Sequence, residues 1–351
     1  MLTVVGARPQ FIKAAPVSRV LRTRHDEFLL HTGQHYDVEM SAVFFKQLHI
    51  PEPDRNLDVG SGDHGAQTGA MLAGIEAVAK DYRPDWVLVY GDTNSTLAGA
   101  LAAAKLHFRV AHVEAGLRSY DRRMPEELNR VVADHLSNLL LCPNQTAVAN
   151  LAREGIRETV EVTGDVMYDV FLQNVEVARR ESRIVAELGL ERGGYHVLTV
   201  HRPENTDDPA HLRGILAGVA SSEKKTVFPT HPRTRPALAA SGLEVPPNLL
   251  LIDPVGYLEM LALEDSAELI LTDSGGVQKE AYFAGRPCIT LRETTEWPET
   301  VEAGWNTLTG ADAEAIRSAL RSVRPRGPRP DLFGDGRAAE RVVAALEANL
   351  S

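Results

Sequence analysis

Three carboxylates stand where apolar runs give way to helix starts, which is where acid/base chemistry is easiest to position. Asp92 ends the run Val89-Tyr90-Gly91-Asp92, Glu114 interrupts the otherwise apolar His112-Val113-Glu114-Ala115, and Glu126 opens the helix-like segment Met124-Pro125-Glu126. A charge inside an apolar run is costly unless it is paired or used. Simpler roles exist for two of them: Asp92 as a helix N-cap, and Glu126 as the surface ion-pair partner of Arg130, four residues on. Acidic groups converging from adjacent strand ends nevertheless raise one another's pKa, and a general acid and base working near neutral pH require that.

A second constellation suits an anion. Leu269-Ile270-Leu271-Thr272-Asp273 is an apolar run broken by Ser274-Gly275-Gly276 and followed by a helical pattern. Paired glycines let the backbone approach a ligand, and the first N–H groups of a helix lack internal partners, so a phosphate fits there. Glu280, about a turn further on, is placed to accept hydrogen bonds from sugar hydroxyls. His201 in Val200-His201-Arg202-Pro203-Glu204-Asn205 and His231 in Thr230-His231-Pro232-Arg233 each end an apolar run. Each is a candidate phosphate ligand, proton carrier or helix-terminal hydrogen-bonder. With Arg292 at the end of the next run, they outline a diphosphate cradle. Directly after the first apolar run comes Gly6-Ala7-Arg8-Pro9-Gln10, with Pro9 suited to the first helical position and Gln10 sharing a face with Lys13. The first such loop of an open sheet is a habitual ligand site. No Walker, dinucleotide or kinase motif occurs.

The elements that must position these residues are strands alternating with helices. Strand-like runs fall at residues 2–5, 27–33, 86–92, 108–116, 139–142 and 160–165, and again at 196–201, 225–231, 249–253, 268–273, 287–291 and 306–310. Their unbroken apolar character predicts strands covered on both faces, and hence α/β architecture: two Rossmann-like, doubly wound parallel sheets with a cleft between the domains. The spacing predicts a first domain over 1–166 carrying the carboxylates and a second over 167–334 carrying the anion site. A final amphipathic helix at 335–351 packs back on the first.

The 351 residues are 44% hydrophobic and 24% charged, ordinary for a globular chain, and the net charge of -11 excludes nucleic acid or an anionic membrane as main partner. Only Cys142 and Cys288 occur, far apart and in apolar runs, which fits buried thiols in a reducing cytoplasm and neither a disulfide nor a metal site. No apolar run reaches the roughly 18 residues of a membrane span.

In these residues the chain resembles the non-hydrolysing UDP-N-acetylglucosamine 2-epimerases along essentially its full length. The motifs are Gly6-Ala-Arg-Pro-Gln10, Tyr90-Gly-Asp-Thr-Asn94, His112-Val-Glu-Ala-Gly-Leu-Arg118, Pro125-Glu-Glu-Leu-Asn-Arg130, His201-Arg-Pro-Glu-Asn205, Thr272-Asp-Ser-Gly-Gly-Val-Gln278 and Thr295-Glu296. The resemblance implies a fold like that of B-type glycosyltransferases, a homodimer, and interconversion of UDP-GlcNAc and UDP-ManNAc without NAD, metal or other cofactor. It assigns acid/base roles to Asp92, Glu114 and Glu126. The diphosphate falls to His201, which also counts among the catalytic residues, and to Ser274, Gly275, Gly276 and Arg8, and the ribose to Glu280. Lys13, Arg130 and Arg292 match basic positions lining the site, and Gln10, on the Lys13 face of the first helix, is a candidate substrate contact from its place in the first loop.

The pattern has two departures. Ala66 and Pro203 stand where members activated by their own substrate carry arginines, which implies a hyperbolic response to UDP-GlcNAc. Thr32-Gly-Gln-His-Tyr-Asp37, Asp253-Pro-Val-Gly-Tyr-Leu-Glu259 and Thr295-Glu-Trp-Pro298 also resemble the branch that epimerises UDP-2,3-diacetamido-2,3-dideoxyglucuronate. Readings from other classes are a glycosyltransferase and a catalytically silent nucleotide-sugar sensor.

Overall fold

The computed structural model describes residues 1–34, 51–230, 234–325 and 327–350. It divides into two compact units, Met1–Leu172 with Phe333–Ser351, and Gln173–Leu332.

Among the described residues, seven strands build the first unit: β1 Leu2–Val5, β2 Phe28–His31, β3 Arg55–Asn56, β4 Trp86–Tyr90, β5 Arg109–Val113, β6 Leu139–Cys142 and β7 Val160–Val162. They lie in the order β3-β2-β1-β4-β5-β6-β7, every neighbouring pair parallel. All of β1, β4 and β6 is buried. Such continuous apolar runs are what a strand needs when helices cover both sheet faces. Six strands among the described residues build the second unit: β8 Tyr195–Thr199, β9 Lys225–Pro229, β10 Leu249–Ile252, β11 Leu269–Thr272, β12 Cys288–Thr290 and β13 Asn306–Leu308. Their order is β10-β9-β8-β11-β12-β13, again parallel throughout. Side chains alternate between two separate cores. Leu198, Val200, Leu269, Leu271 and Ile289 join Leu212, Ile215 and Ile316 on one face, while Tyr195, Val197, Ile270 and Cys288 join Leu263 and Ala281 on the other.

Both sheets are doubly wound, as the strand runs predicted. Their order reverses between β1 and β4 and between β8 and β11, and at such switch points diverging loops leave room for a ligand beyond the strand ends. The strand β3 was not legible, because two polar residues registered on Leu30 and His31 carry no apolar run. Several strands also end earlier than predicted, so Asp92, Glu114 and His201 lie just beyond strand ends.

The last helix, Ala338–Ala348, belongs to the first unit. Its N–H groups at Ala338 and Ala339 donate to the Asp169 carboxylate at 3.0 and 2.8 Å, and Glu347 meets Arg24 and His25 at 3.1 and 2.9 Å. Both cysteines are free and buried, and no helix among the described residues is long and apolar enough to cross a membrane.

Candidate active site

In the first unit, helix Arg8–Leu21 follows β1, with Ala7 as N-cap and Pro9 at its second rather than its first position. Arg8 is exposed at the helix start. Gln10 is 1% exposed, and its amide is fully engaged by the protein. Its oxygen accepts from Gly6 N and Ala7 N at 2.8 and 3.1 Å, and its nitrogen donates to Tyr90 O and Thr96 Oγ1 at 2.9 and 3.0 Å. An amide has two donors and two acceptor positions, so Gln10 ties the β1 loop to β4 and has none left for a ligand. Three residues on, Lys13 Nζ pairs with the Glu114 carboxylate.

Glu114 adopts φ +70°, a left-handed conformation that costs a non-glycine residue about 1–3 kcal/mol and persists only where the surroundings enforce it. The enforcement is visible: Glu114 N donates to Leu141 O at 3.0 Å, while its carboxylate is drawn to Lys13. Asp92 is not the N-cap of helix Asn94–Lys105, a role taken by Thr93, and its carboxylate instead receives Arg130. Arg130 also meets Glu127 at 3.0 Å. The i,i+4 pair of Arg130 with Glu126 does not form; half-buried Glu126 makes no hydrogen bond or ion pair with a described residue. Asp92 and Glu114 are thus each matched to a cation.

In the second unit, helix Gly275–Phe283 follows β11, and Ser274 caps it by accepting from Val277 N at 3.4 Å. Its first turn is held by Trp297, whose Nε1 donates to Gly275 O at 3.0 Å, and by Thr295, whose hydroxyl donates to Gln278 Oε1 at 2.6 Å. Arg292 forks onto Glu296 at 2.9 and 3.0 Å, both side chains largely buried. A carboxylate therefore neighbours the helix N-terminus: Glu296 Oε2 lies 3.6 Å from where a Cβ on Gly275 would stand. The His201 turn is fastened by Asp273, which accepts from His201 N at 3.1 Å, Arg202 N at 3.0 Å and Asn205 Nδ2 at 3.1 Å, with His201 Nδ1 at 3.4 Å. Glu280 lies buried on the same helix as the glycine pair. His231, Pro232 and Arg233, like His35, Tyr36 and Asp37 of the earlier motif, lie outside the described residues.

A family model described as UDP-N-acetylglucosamine 2-epimerase matches residues 19–347. This chain belongs to that family. A Methanococcus maripaludis protein named UDP-N-acetylglucosamine 2-epimerase homolog is 51% identical over 352 residues, covering 99% of each chain. The UDP-2,3-diacetamido-2,3-dideoxy-D-glucuronate 2-epimerase of Pseudomonas aeruginosa is 46% identical over 357 residues, again covering 99% of each. The crystal structure of Methanocaldococcus jannaschii UDP-GlcNAc 2-epimerase in complex with UDP-GlcNAc and UDP superposes with a TM-score of 0.91 at 44% identity, covering 99% of both.

In this UDP-N-acetylglucosamine 2-epimerase family member, several residues beside the expected ones shape the site. Glu127 accepts from Ser119 N, Ser119 Oγ and Tyr120 N at 2.9–3.0 Å and so folds the loop after Gly116 onto helix Pro125–Leu136. Asp273 was visible only as the residue before Ser274. Lys279 is 2% exposed, with its ammonium 4.2 Å from the Trp297 ring centre. A signal for these existed in principle, since a charged residue in an apolar helix or strand context must find a partner. The sequence names the residue and not the partner.

Proposed function

We propose that this epimerase interconverts UDP-N-acetylglucosamine and UDP-N-acetylmannosamine by eliminating and re-adding UDP. A carboxylate removes the proton from C2 of the sugar, and the C1–O bond breaks with its electron pair leaving on the β-phosphate oxygen. The product of that half-reaction is 2-acetamidoglucal. UDP then adds back to C1 while a second acid delivers a proton to the other face of C2. Asp92, Glu114 and Glu126 supply the proton carriers. Ser274, Gly275, Gly276 and His201, helped by Arg8, hold the diphosphate, and donors aimed at that developing charge lower the barrier to its departure. Glu280 takes the ribose hydroxyls, while Lys13, Arg130 and Arg292 set the charges around the reacting groups.

The observation that carries this reading is Glu114, left-handed and 7% exposed, its carboxylate fixed by Lys13 immediately beyond a strand end. Backbone strain kept beside a buried ion pair is a positioning device rather than a packing one. UDP-2,3-diacetamido-2,3-dideoxyglucuronate is the second substrate reading, favoured by 46% identity to the Pseudomonas aeruginosa enzyme that bears its name. Purified protein incubated with each nucleotide sugar, without acceptor, NAD or added metal, should convert one of them to its C2 epimer on chromatography. No epimer from either refutes the proposal. Because Ala66 and Pro203 occupy positions where arginines were expected, the rate should rise hyperbolically with UDP-GlcNAc.

A further inference from the structure

Beneath the carboxylates of the first unit runs a chain of four ionisable side chains, basic and acidic in turn. His112 on β5 is fully buried, with Nδ1 2.7 Å from Asp134 Oδ1 and Nε2 2.7 Å from Gly91 O. Asp134 Oδ2 receives Arg118 Nη1 at 2.7 Å and Gly116 N at 3.2 Å. Arg118 forks onward to Glu154 at 2.7 Å on both arms, and His135 Nδ1 lies 3.9 Å from that same carboxylate. A backbone carbonyl and an ionised carboxylate only accept, so each nitrogen of the His112 ring faces an acceptor. Burial pushes the Asp134 carboxyl up, but His112 and Arg118 outweigh it and hold it below its ordinary value.

Such a network is a poor stabilising device, since apolar side chains of similar volume in place of a buried ion pair are often as stable or more so. Its two ends show what it holds instead. The Gly91 carbonyl belongs to the same planar peptide as the Asp92 nitrogen, so the His112 bond sets the angle at which Asp92 leaves β4. On its other side Gly91 N, in the preceding peptide, donates to Val113 O at 3.1 Å, which ties this glycine to the residue before Glu114. A Cβ at Gly91 would stand 3.0 Å from Lys13 Nζ and 3.3 Å from Glu114 Oε2, so the Lys13–Glu114 pair rests directly against the glycine that His112 holds.

We propose that His112, kept doubly protonated by Asp134, is the positioning residue that fixes the Gly91–Asp92 peptide and aligns the Asp92 and Glu114 carboxylates for proton transfer. The proposal rests on the epimerase reading of those two carboxylates and adds a residue that touches no substrate. A displacement of about 1 Å in such groups lowers turnover by up to roughly 100-fold.

The test combines nitrogen NMR of the ¹⁵N-histidine-labelled protein with kinetics of Asp134→Asn, which keeps shape and removes the charge. In the unmodified protein at neutral pH, both His112 ring nitrogens should show the protonated signature. In Asp134→Asn one should lose its proton, kcat should fall about 10–100-fold, and the Kd for UDP should stay within about threefold. Ring protonation is read whether or not the variant folds. An unprotonated His112 nitrogen in the unmodified protein, or a folded Asp134→Asn variant with unchanged kcat, overturns the proposal. Absence of turnover by the unmodified protein would instead overturn the epimerase reading and leave the ring measurement standing.

Discussion

Asp92 and Glu114 face different cations, Arg130 and Lys13, and Glu126 faces none among the described residues, so the three carboxylates are not equivalent. Changing each to its amide keeps the shape and removes the basic form. Wherever the group carries a proton, kcat should fall about 10²-fold or more while UDP binding is kept, as steady-state kinetics and calorimetry would show. An amide variant that turns over at the original rate removes that residue from the proton path. The second unit predicts loss of UDP binding and of turnover together, because the same donors meet the leaving diphosphate. His201→Ala should raise the Kd for UDP, and Asp273→Asn should do the same without touching the ligand, because it loosens the N–H groups of His201 and Arg202. Loss of one charge-assisted hydrogen bond corresponds to about 1.5–3 kcal/mol, or roughly 10- to 150-fold in affinity. Unaltered UDP affinity in both variants would place the diphosphate elsewhere.

At the scale of elements, function concentrates in the turns that leave the strands. Gly91 sits at φ +63° in the turn after β4. Gly91→Ala should therefore cost about 1–2 kcal/mol in thermal or denaturant unfolding, with a loss of kcat from the crowded Lys13–Glu114 pair. A variant as stable and active as the parent would show that the turn relaxes freely. Helix Tyr257–Ser266 carries a different tension. Glu264 is fully buried and neither of its oxygens has a hydrogen-bond partner among the described residues; burial pushes its carboxyl well above the ordinary range, and the Glu280 charge adds to the shift. In the unfolded chain this group titrates near roughly 4.3. Below that pH both states are protonated and no penalty arises. Above it the unfolded chain ionises while the folded one holds its proton, so stability falls as pH rises toward the folded value. Glu264→Leu should abolish that slope and raise stability at neutral pH by about 1–3 kcal/mol in urea unfolding. An unchanged slope would assign the pH dependence to other groups.

Apolar runs made the long strands legible, because a strand buried on both faces has to be apolar along its length. The pair Arg55–Asn56 has no such requirement at the sheet edge and left no trace. Glu114 and Asp92 stood out as charges at strand ends, whereas Gln10 looked like a ligand contact. Only its four bonds to the β1 loop, β4 and Thr96 reveal an internal tie. Residue type and spacing mark where a polar group stands; which of two neighbours it bonds is decided by folding.

At the scale of the whole molecule, two similar sheets carry dissimilar loops. The first unit presents carboxylates matched with cations, and the second presents a capped helix N-terminus and a histidine turn. A net charge of -11 is no obstacle to an anionic substrate when the few cations and N–H groups that meet it are local. The proposed division gives C2 proton chemistry to the first unit and the leaving diphosphate to the second. Proton exchange at C2 is the step that no sugar transfer or passive binding requires. Turnover should therefore be run in heavy water on whichever of the two nucleotide sugars is converted, with the C2 position of the product read by proton NMR and mass spectrometry. The account predicts deuterium at C2 of every epimerised molecule, because the proton taken from one face cannot be the one returned to the other. An epimer formed in heavy water that keeps its original C2 hydrogen would contradict it.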